Sequence, residues 1–173
     1  MKRIIILGST GSIGKSTIDV VREQRGSFRV AGLSCSRNVA LLEEQAAELK
    51  PEAVAVTHPP ASGVSSHSFS CRVHEGERGL IRMIEETDAD IVVQGISGAG
   101  ALLSSMRTIE TGKDIALANK ETIVMAGPLF LSRARELGRT VIPVDSEHSA
   151  LFQLLRQQEP ERRRELVITA SGG

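Results

Sequence analysis

The sequence predicts an α/β fold, a doubly wound parallel sheet with helices on both faces, and three observations carry that expectation. Short, nearly continuous Val/Ile/Leu runs recur along the chain, as strands buried on both faces require. The longer stretches between them repeat their apolar residues at helical spacing: Leu41, Leu42, Ala46 and Leu49 share one face, and Leu151, Leu154 and Leu155 another. The two kinds of segment alternate, and right-handed crossovers between such units wind helices onto both sides of one sheet, a Rossmann-like architecture.

In chain order, strands are expected over 3–7, 28–33, 53–57, 91–94, 115–118, 140–144 and 166–169. Helices are expected over 13–24, 39–49, 80–86, 100–111, 120–137 and 148–157. The polar, Pro/Gly/Ser-rich stretch 58–70 reads as an exposed loop inside the domain. No internal repeat, heptad seam or low-complexity tail interrupts the pattern. After the last expected strand, Ala170-Ser171-Gly172-Gly173 reads as the opening of a turn into a helix that does not follow. A strand without its covering crossover leaves an edge open, so the pattern points to truncation rather than to a short closing edge strand.

With 173 residues the chain suits one domain or slightly more. Lys and Arg number 21 and Asp and Glu 21, giving zero formal net charge and no global basic field for nucleic acid. Aromatics make up 2%, with no Trp or Tyr, so base-stacking platforms are hard to build. Cys35 and Cys71 form neither a disulfide framework nor a zinc pattern. No signal peptide or membrane-length apolar run is visible, and a soluble cytoplasmic protein is expected.

Gly8-Ser9-Thr10-Gly11-Ser12-Ile13-Gly14 directly follows the first strand and opens the first helix. In such a loop the first glycine permits a tight turn and the second lets a pyrophosphate approach the backbone. The third lets helix and strand pack closely, and the helix N-terminus offers N–H groups to the phosphates. The end of the second strand selects the nicotinamide. An acid there would bond the ribose 2′-hydroxyl of NAD, but the segment is Ser34-Cys35-Ser36-Arg37-Asn38. Arg37 can pair with a 2′-phosphate, and Ser36 and Asn38 can donate hydrogen bonds, which favours NADP(H). The alternative is that Arg37 and Asn38 only begin a helix. A P-loop NTPase is the rival class, because Gly14-Lys15-Ser16 imitates the end of a Walker A motif and 141–145 a Walker B strand. The glycine spacing is one residue too long for it, and Ser9 stands where a glycine belongs.

Two further clusters end strands. Ala118-Asn119-Lys120-Glu121 lies where a doubly wound sheet presents its carboxyl ends, and Lys120 suits a substrate oxygen or phosphate. Asn119 capping a helix, with Lys120 and Glu121 in solvent, is the equal alternative. In Val144-Asp145-Ser146-Glu147-His148-Ser149, two carboxylates in extended backbone would share one face and suit Mg²⁺ or Mn²⁺. A capped helix start at Asp145 or Ser146 is the alternative. His58, His67, His74 and His148 support no cluster, and Cys35 and Cys71 read as packing residues. Ser171-Gly172-Gly173 could offer a hydroxyl and backbone N–H groups to an anion, or simply be a chain end.

Taken together, GSTGSIG at 8–14, ALANKET at 116–122, VDSEHSA at 144–150 and ITASGG at 168–173 resemble the 1-deoxy-D-xylulose 5-phosphate reductoisomerases over essentially the whole chain. The resemblance implies an NADPH- and divalent-metal-dependent enzyme (Mg²⁺, Mn²⁺ or Co²⁺) of non-mevalonate isoprenoid synthesis. Such an enzyme rearranges a small phosphorylated sugar and reduces it to 2-C-methyl-D-erythritol 4-phosphate. It further implies a cofactor site of Thr10, Gly11, Ser12, Ile13, Ser36, Arg37, Asn38, Asn119 and Glu121. Substrate contacts would come from Lys120, Ser146, Glu147 and Ser171, metal ligation from Asp145 and Glu147, and catalysis from Lys120 and Glu147. Residues 1–144 would form the NADPH-binding domain, and 145–173 the start of a catalytic domain. A homodimer at full length is implied, with no nucleic-acid or membrane partner. Ser36 departs from the glycine common in the family at that turn. A third metal carboxylate and a lid are expected in further chain, so the 173 residues alone are expected to be inactive. A non-catalytic NADP(H)-binding module remains the alternative. A dehydrogenase of the aspartate-semialdehyde type would need an activated Cys, and neither cysteine has that setting.

Overall fold

In the computed structural model, residues 1–24, 26–65, 68–156 and 165 are described. The order is β1 (Lys2–Leu7), α1 (Ser12–Glu23), β2 (Phe28–Cys35), α2 (Val39–Leu49), β3 (Ala53–Val56), β4 (Arg72–Glu75), α3 (Gly76–Glu86), β5 (Ile91–Gln94), α4 (Ala101–Glu110), β6 (Asp114–Leu117), α5 (Lys120–Glu136), β7 (Val141–Pro143) and α6 (Ser146–Arg156). The strands form one sheet of order β4-β3-β2-β1-β5-β6-β7 in which every pairing is parallel. Winding proceeds outward from β1 in one direction, then returns to β5 on its other side. The switch point therefore lies between β1 and β5, where such sheets open a crevice at their carboxyl ends.

The run Ile4-Ile5-Ile6-Leu7 shows why both faces must be covered. Ile4 and Ile6 join Ile18 of α1 and Leu42 and Ala46 of α2 in one buried layer. Ile5 and Leu7 point the other way, onto Leu80, Met83 and Ile84 of α3. Farther along, Ile115 and Leu117 of β6 are sealed by Ile109 of α4 and by Phe130 and Ala134 of α5. No helix of the described residues is long and apolar enough to cross a membrane.

Three details differ from the sequence expectation. β4 was not expected, because Arg72-Val73-His74-Glu75 carries one aliphatic residue; it is the sheet's outer strand, where polar side chains are tolerated. Helix α3 begins four residues earlier than its apolar spacing suggests, since its first turn, Gly76-Glu77-Arg78-Gly79, carries no apolar side chain. The helix expected over 120–137 is broken in two at Ala126 (φ −145°), two residues before Pro128, whose ring removes a donor and crowds the preceding turn. The expected strand 166–169 and Ser171 lie outside the described residues.

Candidate functional site

The glycine loop closes against the switch point. Gly8 takes φ +75°, a conformation glycine adopts without strain, and the Gly11 amide donates to the Gly8 carbonyl at 3.0 Å. Contact across to β5 is equally close: the Gly95 amide donates to the Leu7 carbonyl at 3.0 Å, and a Cβ on Gly95 would lie 2.9 Å from that oxygen. A Cβ on Gly14 would overlap the Gly8 carbonyl oxygen and the Ser9 Cα. The N-cap of α1 is Gly11 itself, without a side-chain cap, so the first-turn N–H groups open onto the crevice. Thr10 and Gly11 line a cleft of about 430 Å³ there, together with Ser36, Gly95 and Ile96. Ser12 starts α1, and Ile13 packs beside Gly95, its Cβ 3.3 Å from where a Gly95 Cβ would stand.

A buried polar network holds this loop in place, and the sequence reading missed it. The Gly8 amide donates to Ser34 Oγ at 3.0 Å, and the Ser9 amide to the Ser34 carbonyl at 2.7 Å. Ser9 Oγ donates to Gln45 Oε1 at 2.7 Å, while Gln45 Nε2 returns a bond to the Ser9 carbonyl at 3.0 Å. Ser9, Ser34 and Gln45 are all buried, so each bond is made out of water and its loss would strand a partner. No local periodicity marks these residues; a Gln at a core position of α2 was the only hint.

Beside the loop, a second cavity of about 860 Å³ runs along the ends of β2 and β3, lined by Arg37, Asn38, Thr57 and His58. Asn38 caps α2, its Oδ1 accepting from the Leu41 amide at 3.2 Å. Arg37 is exposed at this cavity, and Ser36 is exposed at the first cleft. His58, read from sequence as an unclustered loop residue, instead lines both cavities. Cys35 borders the first cleft but is an inert packing residue: burial pushes its thiol up to about 11.

The second constellation opens a smaller cavity of about 190 Å³ at the ends of β6 and β7, lined by Asn119, Lys120, Asp145 and His148. Asn119 fills every hydrogen-bonding position of its amide. Its Nδ2 donates to the Ile96 and Gly98 carbonyls, both at 3.1 Å. Its Oδ1 accepts from the Thr122 amide and hydroxyl, both at 2.7 Å. The side chain therefore caps α5 and clamps the loop after β5, tying the two clefts together. Gln94 fastens the same loop from below, donating to Ser104 Oγ at 2.8 Å and accepting from the Ile96 amide at 3.2 Å. Glu121 sits in the first turn of α5, complementing the helix dipole.

The carboxylate pair does not lie in extended backbone, because α6 begins at Ser146. Asp145 precedes the helix, with Oδ1 accepting from the His148 amide at 2.9 Å and Oδ2 meeting His148 Nδ1 at 2.7 Å. Glu147 lies in the first turn and accepts from Ser146 Oγ at 2.7 Å. Partial burial pushes the Asp145 carboxyl up, but the hydrogen bonds and charge of His148 outweigh it and hold the group below its ordinary value. Glu147 is also held low, by the Ser146 hydroxyl and, from farther off, the charge of Lys120. Among the described residues no three His, Cys, Asp or Glu gather as a metal cluster.

A depressed Asp145 pKa stabilises the fold above the ordinary carboxylate value and loses that contribution as pH falls through the lower native value. The His148 amide is thus expected to be protected from hydrogen exchange at neutral pH and to lose protection only at pH values below the ordinary carboxylate range. Asp145→Ala should cost about 1 kcal/mol and abolish that pH step. Unchanged protection in the variant would show that the cap is not formed.

A doubly wound α/β protein, with a glycine-loop cleft at its switch point and a polar cluster beside it, is the class these features define. The sequence pattern of the 1-deoxy-D-xylulose 5-phosphate reductoisomerases matches residues 4–127, and that of the family's C-terminal domain matches 141–173. The chain belongs to the 1-deoxy-D-xylulose 5-phosphate reductoisomerase family. It is 43% identical to the reductoisomerase of Desulfitobacterium hafniense (strain DSM 10664 / DCB-2), the alignment covering 100% of this chain and 46% of the relative. The chain thus spans slightly less than half the length of the curated relatives it matches. A reductoisomerase crystallised with NADPH, fosmidomycin and magnesium superposes with TM-score 0.79 at 34% identity, over 88% of this chain and 38% of the other. The Zymomonas mobilis reductoisomerase in complex with NADPH gives 0.78 at 33% identity, over 88% and 41%.

Proposed function

We propose that this chain supplies the NADPH-binding part, and the start of the metal and substrate site, of a 1-deoxy-D-xylulose 5-phosphate reductoisomerase. The observation that carries the reading is the open N-terminus of α1, set behind Gly8, Gly11 and Gly14 at the switch point. A pyrophosphate fits there because uncapped N–H groups face the cleft and no Cβ intrudes. Thr10, Gly11, Ser12 and Ile13 would hold the pyrophosphate, with Ser36, Arg37 and Asn38 on the adenosine 2′-phosphate. Asn119 and Glu121 would shape the nicotinamide end, Asn119 through the loop it clamps. NADPH would supply the hydride.

Lys120 and Ser146 would bind the phosphorylated sugar, joined by Ser171, which lies outside the described residues. Asp145 and Glu147 would offer hard oxygen donors to Mg²⁺, Mn²⁺ or Co²⁺, whose Lewis acidity would polarise the substrate carbonyl. Two carboxylates, each already hydrogen-bonded, meet only part of an octahedral ion's demand. Lys120, near enough for its charge to act on Glu147, would bind substrate oxygen and keep Glu147 ionised. A domain boundary at 144/145 is in keeping with β7 closing the sheet and α6 burying no residue in it. The whole enzyme is proposed to be a cytoplasmic homodimer with no nucleic-acid or membrane partner; the exposed Val124, Met125 and Leu129 of α5 leave apolar surface for such contacts.

Calorimetry with NADPH and NADH tests the reading. The 173-residue chain is expected to take up NADPH more tightly than NADH, and Arg37→Ala to weaken NADPH about 10–50-fold while moving NADH less than about twofold. Failure of the chain to bind either nucleotide overturns it. With 1-deoxy-D-xylulose 5-phosphate and Mg²⁺ or Mn²⁺ added, NADPH oxidation by this chain alone is expected to stay at background.

A further inference from the structure

Among the described residues, His58 is the one titratable side chain that lines both the glycine-loop cleft and the Arg37 cavity. It follows β3, and β3 lies beside β2, so the fold sets it against Ser36 at the end of the neighbouring strand. The link is reinforced by the backbone, since the His58 amide donates to the Ser36 carbonyl at 2.9 Å and the Thr57 amide to the Cys35 carbonyl at 3.0 Å. Ring Nδ1 meets two hydroxyls, Ser36 Oγ at 3.1 Å and Thr57 Oγ1 at 3.2 Å.

Those two contacts are compatible with either ring tautomer; in the one where Nδ1 accepts from a hydroxyl, the proton sits on Nε2. In that tautomer Nε2, which has no partner among the described residues, is an N–H donor for whatever occupies the cavity. The other charged groups bordering these clefts are Arg37, which attracts an anion, and Glu77 at the far side of the first cleft. A guanidinium and an imidazole N–H suit a phosphomonoester, each supplying a separate donor, while the single Ser36 hydroxyl proton is engaged by Nδ1.

We propose that His58 is a specificity-determining residue, whose Nε2 donates to the 2′-phosphate of NADP(H) and with Arg37 sets the preference over NAD(H). This rests on the cofactor reading given above. Ser36 and Thr57 act by holding the ring in the donating tautomer, and the ring in turn steadies Ser36 at the turn.

The test compares His58→Ala, His58→Asn and His58→Gln in the 173-residue chain, using calorimetric affinities for NADPH and NADH. An Asn amide can occupy the position of Nδ1 but does not reach that of Nε2, whereas a Gln amide can. Expected are losses of about tenfold for NADPH in the Ala and Asn variants, NADH unchanged within about twofold, and substantial recovery in the Gln variant. Equal weakening of both nucleotides would overturn the proposal, because His58 would then only support the loop. An NADPH-to-NADH ratio unmoved in all three variants would overturn it too, while leaving the cofactor reading intact. A parent chain that binds neither nucleotide would remove the cofactor reading and this assignment with it. Melting temperatures of the nucleotide-free variants separate misfolding from lost recognition: a variant that melts with the parent and keeps its NADPH affinity counts against the donor role.

Discussion

Gly14→Ala is expected to lower the stability of the chain by about 3 kcal/mol and to abolish measurable NADPH uptake. The added methyl would meet the Gly8 carbonyl oxygen, the Ser9 Cα and, at 2.6 Å, the Ser9 carbonyl carbon, all of them backbone. No side chain can swing away to make room. Either α1 moves off β1, losing the packing of Ile18 against Ile4 and Ile6, or the loop shifts and breaks the buried Ser9–Gln45–Ser34 network. Both outcomes misplace the N–H groups at the start of α1. At this chain length the loss corresponds to a melting temperature lower by roughly 6–12 °C. Gly100→Ala is the control: that glycine has no heavy atom within 4 Å of its added Cβ and an ordinary φ of −60°, so a change within about 0.5 kcal/mol is expected. If the Gly14 variant melted with the parent, the close approach of helix and strand would be wrong.

Asn119→Ala should be nearly as damaging, at about 3 kcal/mol, although it creates only a small hole. Asn119 is 3% exposed, and the truncation strips α5 of its cap and leaves the Ile96 and Gly98 carbonyls without their donor. The loop after β5 lines the cleft proposed for the cofactor, so weaker NADPH binding should accompany the loss, even if the Asn119 side chain never touches the nucleotide. Asn119→Asp separates the two duties. It keeps an acceptor for the Thr122 amide but sets a carboxylate oxygen against two carbonyls, and is expected not to rescue. Full recovery of thermal stability in that variant would show that the loop contacts carry nothing.

Much of the fold was legible before any coordinates. The run Ile4-Ile5-Ile6-Leu7 reads as a strand buried on both faces, and each side chain is indeed buried against one helical layer or the other. The bounds of α2, Val39–Leu49, coincide with the apolar spacing that predicts it, because Asn38 caps one end and Lys50, at φ +49°, stops the other. Where packing follows local pattern less closely, reading weakened. β4 has no apolar run because it is an edge, and the break at Ala126 depends on how a helix accommodates Pro128. Asp145 and Glu147 do not share one face of extended chain, because α6 begins at Ser146, one residue after Asp145.

By itself the sequence determined most of the strands and helices, the family, and the place of a glycine loop at the end of the first strand. These depend on periodicity and on glycine spacing, which act over a few residues. Only the tertiary structure decided which distant groups meet: Ser9 with Gln45, 36 residues apart, Asn119 with Ile96, 23 apart, and His58 with Ser36, 22 apart. Such contacts are created by sheet order, which sets β2 beside β1, β3 beside β2 and β6 beside β5. A hydrogen bond between strand ends leaves no trace in the spacing of either segment.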